Sequence, residues 1–522
     1  MRVKCVLMIK NPEKIFSIRI ITVILFLVLA IAGIGFSMYL IYISNTLYMY
    51  ILSVAFTILA VVAGVFNIFA STSYYRSYFY DEHLNKIRSQ AKMPKVMPTV
   101  GIIMPVYNED PSIVKKNLLR LKELKYDKDK LKIYLSDNST DKSIYSVLGA
   151  FCKKNGIIYV HRTERKGFKA GTLNNALKHC KDELIAIFDY DEYITDLNFL
   201  NDLVPYFSDE KLAYIQTEKT YFNSKTLFGQ SVSLFDKFFF NFIQPSRALN
   251  NTAIFAGSCG LIRKSVIDRN GGFPEYVIED TFFSFLSDVE GYKSIYIPKV
   301  YARGKPVRSF TELARQQWRY NYGDTQFLGF FYRNKEKKRL SFFSHMDYIT
   351  HGFGLNYISV ILVLFTLVSV LIVFSPIHFI SLTSAQFFSP SYIGLDLEVF
   401  GSIAFILSLV APIIITKIYF NSIKKGIMIF LLNFSLAIIR TKAAIAAILN
   451  SSPASKWNRQ KKVNRNNILF AISNTKIELS ISIGLVLLGI VAAYNKNIFG
   501  GIWLMWYATL YMVTTVLFYK YG

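Results

Sequence analysis

Asp189 and Asp191 stand on either side of Tyr190, at the end of the apolar run 184–188. Successive side chains of an extended segment point to opposite faces, so residues two apart can present both carboxylates on one side. Two hard oxygen donors facing a cleft suit a divalent cation such as Mg2+ or Mn2+, which keeps several waters and takes its remaining ligands from a diphosphate. The spacing alone carries little, because the same triplet recurs at Asp127 and Asp129. That second pair precedes its apolar run and sits among Lys125, Lys128, Lys130 and Lys132, as a solvated loop does. What separates the two pairs is where a fold would put them.

From about residue 98 short apolar runs alternate with polar segments of helical period. VGIIMPVY, LKIYLSD, GIIYVH and LIAIF read as four strands; Asp110-Pro111 caps and starts a helix to about Leu124, and another helix spans about 169–179. Strand and helix in alternation predict an α/β domain with a parallel sheet covered on both faces. Ligands of such sheets sit beyond the carboxyl ends of the strands. There fall Asn108 and Glu109 after the first strand, Asp137 and Asn138 after the second, and Asp189 and Asp191 after the fourth. Farther along, Gln316, Arg319 and Tyr320 are spaced i, i+3 and i+4, sharing one helix face from which Trp318 points away.

PVYNED (105–110), SDNSTD (136–141), RKGFKAGTLNNAL (165–177), FDYDE (188–192), FAGSCGLIRKSVI (255–267), IED (278–280) and QQWRY (316–320) occur in this order. Taken together they resemble the membrane-integrated family 2 glycosyltransferases, the group of cellulose, hyaluronan, chitin and mannan synthases. The resemblance implies a GT-A-like (Rossmann-like) domain inserted between transmembrane helices, and a nucleotide-sugar donor carrying UDP or GDP. It implies Asp137, with Tyr107 and Glu109, on the nucleotide; Lys169 facing phosphate, with Gly171 permitting close approach; and Asp191 on the metal, assisted by Asp189. Asp280 resembles a general base, with Glu279 beside it and Ile278 where the family has threonine; both acids also read as helix-capping residues. Arg319 would grip the diphosphate with Gln316, and Tyr320, where the family has tryptophan, would stack on the acceptor together with Trp318 and Cys259. Trp318 reads equally as an interfacial anchor. Trp457 and Lys461 faintly resemble a gating loop and equally an ordinary basic cluster.

At 522 residues and 52% hydrophobic composition, the chain holds more than this domain. Apolar stretches at 20–40, 51–70, 356–374, 399–416, 479–494 and 502–519 are each expected to span a bilayer. Segment 426–449, interrupted by Arg440 and Lys442, is expected to be interfacial or re-entrant. The formal net charge of +25 lies mostly between the spans, which orients them with the α/β domain and both termini cytosolic and removes any need for a nucleic-acid partner. Expected boundaries are 1–75 for the first membrane region, 76–335 for the α/β domain and 336–522 for the second membrane region, including a basic loop at 450–468. A retained anchor is expected rather than a cleaved signal peptide. Cys5, Cys152, Cys180 and Cys259 have no Cys-x-x-Cys spacing, so neither a disulfide framework nor a zinc site is expected.

No His-Glu-x-x-His pair, Gly-x-Ser-x-Gly elbow or Walker loop is present. The expected activity is inverting, metal-dependent transfer of a sugar to a growing polysaccharide, coupled to its passage across the membrane. The alternatives are transfer of one sugar to a lipid or glycolipid, and a transporter whose cytosolic domain senses nucleotide. Spans nearly devoid of ionisable residues count against a coupled carrier. Membrane lipids are expected partners, and an accessory subunit is left open.

Overall fold

The computed structural model describes residues 46–374, 413–450 and 466–522, apart from Arg165 and Lys496, together with scattered positions between 20 and 45. The expected span at 399–416 and the basic loop at 450–468 lie mostly outside the described residues, and Cys5, Trp457 and Lys461 lie wholly outside them.

Seven strands form the main sheet: β1 (Val100–Val106), β2 (Leu131–Asp137), β3 (Ile158–His161), β4 (Leu184–Ile187), β6 (Leu212–Thr217), β8 (Gly260–Arg263) and β9 (Lys293–Ile297), in the order β3-β2-β1-β4-β8-β6-β9. A small second sheet joins β5 (Tyr193–Ile194), β10 (Ala302–Gly304) and β7 (Thr220–Tyr221). The expected parallel arrangement holds from β3 to β4, where Val106 pairs with Asp137 and Ile103 with Ile187. Beyond β4 the sheet is mixed, because β8 runs antiparallel to both β4 and β6. Alternate residues serve opposite faces, as strand geometry requires. Val100, Ile102 and Met104 enter one core with Leu135, Ala186 and Phe188, whereas Ile103 enters the other with Tyr134, Ile185 and Ile187. Burial on both faces is why these strands read as continuous apolar runs.

The connecting helices start where their caps dictate. The side chain of Asp110 accepts from Ser112 N ahead of α1 (Pro111–Lys122), and that of Asp141 accepts from Ser143 N ahead of α2 (Lys142–Lys154). Two successive left-handed residues, Gly167 (φ +81°) and Phe168 (φ +51°), turn the chain into α3 (Phe168–Leu177), placing Lys169 in its first turn. Next come α4 (Leu227–Phe238) and α5 (Glu279–Val289). Ser309 caps α6 (Phe310–Arg333), accepting from Glu312 N at 3.1 Å, while Glu312 accepts from Arg308 N at 2.8 Å.

Apolar helices flank the domain. Leu47–Arg76 precedes it; α7 (Phe342–Val373), α8 (Ile423–Ile448), α9 (Lys476–Tyr494) and α10 (Ile498–Tyr521) follow. Three of these, α8, α9 and the Gly500–Tyr521 part of α10, are long and apolar enough to cross a membrane. The segment expected to be interfacial or re-entrant is one unbroken 26-residue helix, α8, and it packs along α6 and α7. Among the described residues, Arg440 on α8 and Glu478 on α9 are buried ionisable side chains, both outside the segments expected to span. Both can be enclosed because neighbouring helices, not lipid, surround them.

Candidate active site at the sheet edge

The carboxyl ends of β1, β2, β4 and β6 share one edge of the sheet, and the antiparallel β8 starts there, with Cys259 N donating to Ile187 O at 2.8 Å. One row of loops therefore gathers residues from six parts of the sequence. At its nucleotide-facing side by resemblance, Asp137 is fully buried. Its Oδ1 accepts from Ser139 N at 2.7 Å and its Oδ2 from the Tyr159 hydroxyl at 2.8 Å. It therefore fixes the loop after β2 and offers no open carboxylate. Asn108, at φ +53°, ties the loop after β1 to the same place through Ser139 Oγ and Thr140. Glu109 is buried, and Tyr107 remains exposed.

The acidic pair after β4 is not symmetric. Asp189 Oδ1 accepts from Lys169 Nζ at 2.6 Å and Oδ2 lies 3.8 Å from Lys219 Nζ, so the expected assistant metal ligand is already ion-paired. Burial opposes the charge of Asp189, but the two lysines outweigh it and hold its carboxyl down at about 2. Asp191 is ion-paired with no lysine or arginine among the described residues. Burial, Asp189 and Glu192 push its carboxyl up to about 6. A half-buried carboxylate crowded by like charge is one that a cation would stabilise. No group of three His, Cys, Asp or Glu side chains able to hold a metal gathers among the described residues. The donor set thus fits a hard cation that takes most of its ligands from water and diphosphate, with Asp191 as its protein anchor.

Lys169 also donates to Gly257 O at 2.9 Å. Burial works against its ammonium charge, yet Asp189 and Glu279 raise its pKa above the ordinary value. Gly171 is required by the protein itself rather than by an approaching phosphate: a Cβ there would lie 2.2 Å from Lys166 O and 2.4 Å from an Arg162 nitrogen.

Glu279 and Asp280 open α5. Asp280 Oδ1 accepts from Thr281 N at 2.8 Å within the first turn, and its other oxygen faces the site. A Cβ on Gly257 (φ +77°) would lie 3.0 Å from Asp280 Oδ2 and 3.5 Å from Lys169 Nζ, which places all three groups together. Burial raises the pKa of Asp280, with Lys169 pulling it back; burial and then Asp280 push Glu279 higher, to about 8. Ile278, in place of the family's threonine, is buried against α6, where a Cβ on Gly323 would come within 2.6 Å of its Cγ2. Apolar packing here docks the acid-bearing turn onto α6.

On α6, Gln316 Nε2 donates to the Tyr320 hydroxyl at 3.2 Å, and Arg319 is exposed beside them. Tyr320 keeps 40% of its surface exposed, and its hydroxyl senses Asp236, Arg319, Lys219 and Asp280. Two residues expected at the acceptor are engaged in apolar packing. Trp318 packs with Val277, Tyr322, Ala443 and Ala447 against α8, on the face opposite the site. Cys259, at φ +53°, is buried in the core beneath the acidic pair, because β8 must turn there to enter the sheet.

Sequence reasoning missed Lys219, Glu192 and Ser258. Lys219 Nζ reaches Ser258 Oγ at 2.6 Å, Ala256 O at 3.2 Å and Glu192 at 3.4 Å, while Ser258 Oγ donates to Glu192 Oε1 at 2.7 Å. The signal was available: Lys219 follows the end of β6, whose first four residues, 212–215, are apolar, just as Asp189 follows β4.

The glycosyl transferase family 2 model matches residues 101–271. Among sequence relatives, the cellulose synthase catalytic subunit (UDP-forming) of Pseudomonas fluorescens (strain SBW25) is 32% identical over 241 residues, 45% of this chain and 32% of the relative. A probable glucomannan 4-beta-mannosyltransferase 7 of Oryza sativa subsp. japonica is 31% identical over 243 residues, 43% of this chain and 40% of the relative. The matched segments thus span 32% and 40% of the length of these two curated relatives. Among solved structures, the mannosyltransferase PcManGT from Pyrobaculum calidifontis, in complex with GDP-Man and Mn2+, aligns with a TM-score of 0.40 at 18% identity, covering 65% of this chain and 96% of that one. The segment 101–271, which holds most of the mixed sheet and of the residues collected along its edge, is thus similar to family 2 glycosyl transferases, and apolar helices adjoin it.

Proposed function

We propose that this chain is an inverting glycosyltransferase that moves a sugar from a UDP- or GDP-sugar onto a growing polysaccharide at the cytosolic face of a membrane. The observation that carries the reading is the convergence of Lys169, Asp189 and Asp280 around Gly257 at the strand ends. The cellulose and glucomannan synthases among the relatives support a polymeric product.

Asp280 takes the proton of the acceptor hydroxyl, whose oxygen attacks the anomeric carbon opposite the diphosphate. The bond to the diphosphate breaks and the configuration inverts. Glu279, held protonated beside it, leaves a single negative charge to act as base. Lys169 has spent two of its donors on Asp189 and Gly257, and the third is left for a phosphate oxygen. Lys219 and Arg319 add positive charge where the leaving group gains negative charge. Asp137, Tyr107 and Glu109 shape the nucleotide side, and Tyr320 offers a ring to the acceptor. Asp191, with Asp189 beside it, would hold Mg2+ or Mn2+, which supplies further charge neutralisation for the diphosphate.

Replacing Asp280 by Asn in purified protein should lower nucleoside diphosphate release from nucleotide sugars by about 10²- to 10⁴-fold while the donor still binds. Undiminished release removes Asp280 from the role of base. Sizing the product made from labelled donor separates a polymer from a single-sugar glycolipid.

A further inference from the structure

Arg440 lies on the apolar helix α8, yet it is the largest fully buried side chain among the described residues. Enclosing a guanidinium is costly unless its donors and its charge are both matched. On α6, Gln317 supplies the acceptor for two of these donors. Arg440 Nε and Nη2 both donate to Gln317 Oε1, at 3.0 and 2.7 Å, and Nη1 donates to Asn433 Oδ1 at 3.2 Å. Two turns along the same face of α6, the buried Asp324 feels both Arg440 and Asp280. Gln317 thus ties α6 to α8, while Gln316 and Tyr320, on the neighbouring face, form the hydrogen-bonded pair beside the site, and Gly323 receives Ile278.

We infer that Arg440 is a positioning residue for catalysis: through Gln317 it sets the rotation of α6, and with it the placement of Tyr320, Arg319 and the Ile278–Asp280 turn. A rotation of one helical residue, about 100°, would carry this face away from the acids. An apolar helix outside the α/β domain thereby determines whether the domain is competent. A planar guanidinium gripping one amide oxygen with two donors specifies orientation in a way that a lysine at the same place does not.

The inference rests on the glycosyl-transfer reading of the site, and its test includes a measurement that does not. Full-length protein in nanodiscs would be compared with Gln317→Met, Gln317→Glu and Arg440→Lys. Gln317→Met removes the acceptor without stranding a buried carboxylate, and Gln317→Glu keeps an acceptor in place. In Gln317→Met and Arg440→Lys, amide hydrogen exchange over residues 313–324 should quicken by about tenfold or more while β1, β2 and β4 keep their protection. Turnover should fall by about tenfold or more while UDP or GDP binds within about threefold of the unmodified protein. Gln317→Glu should restore both exchange and turnover. Unchanged exchange, faster exchange throughout the sheet, or local loosening with full turnover would each overturn the inference. Absence of turnover in the unmodified protein would instead overturn the functional reading, leaving the exchange comparison to decide the tie.

Discussion

Asp189 and Asp191 are chemically identical and two residues apart, yet their surroundings give them different work. Two lysines neutralise Asp189, whereas burial and like charge leave Asp191 in need of a cation. In Asp191→Asn, the affinity for UDP or GDP should therefore lose its dependence on Mg2+ or Mn2+, which titration with and without metal would detect. Lys219 was not expected from the sequence, and it balances Asp189 and Glu192 together. Changing it to Met strands both acids and should weaken nucleoside diphosphate binding by roughly 10- to 100-fold, measurable by calorimetry. Burial raises Asp280, so the base is lost as pH falls through a value above the ordinary carboxylate range of about 4. Lys169 lowers that value, with Glu279, Lys219 and Asp324 as the other titratable neighbours. Lys169→Met should therefore shift the acid limb of the turnover profile to higher pH; a limb that stays near pH 4 in both proteins would deny Asp280 its role.

At the scale of elements, the antiparallel insertion of β8 brings the loop 255–259 to the same edge as the ends of β4 and β6. A strand in the usual parallel sense would have sent Gly257 and Ser258 to the far side. The other decisive junction is α5 on α6. Adding a methyl at Gly323 collides with Ile278, so Gly323→Ala should destabilise the domain by about 1–3 kcal/mol and reduce turnover. Pairing it with Ile278→Ala should recover much of both losses, as a double-mutant cycle in thermal unfolding and activity would show. Simple additivity of the two changes would mean that this contact does not hold the acid-bearing turn.

For the whole molecule, the charge pattern predicts that the loop near Ser389 faces the side of the membrane opposite the α/β domain. In intact cells, an impermeant thiol reagent should label a cysteine placed at Ser389 and spare one placed at the exposed Lys154, with the order of labelling reversed for domain-side-out vesicles. Much of this organisation was legible beforehand. Buried strands announce themselves as apolar runs, and caps such as Asp110 and Asp141 mark helix starts through chemistry local to a few residues. Asp189, Asp191 and the α6 triad could be named for the same reason, since strand-end position and helical spacing are properties of short segments, whereas Glu279 and Asp280 were named only through the resemblance of their motif.

Sequence alone settled which residue types stand at which strand end, and that apolar segments flank an α/β core. Tertiary structure decided the rest: the pairing of Lys169 with Asp189, the arrival of Lys219, the withdrawal of Cys259 into the core, and the turning of Trp318 away toward α8. Those outcomes depend on strand order and helix rotation. Contacts between residues tens to hundreds of positions apart fix both, and no local propensity encodes them.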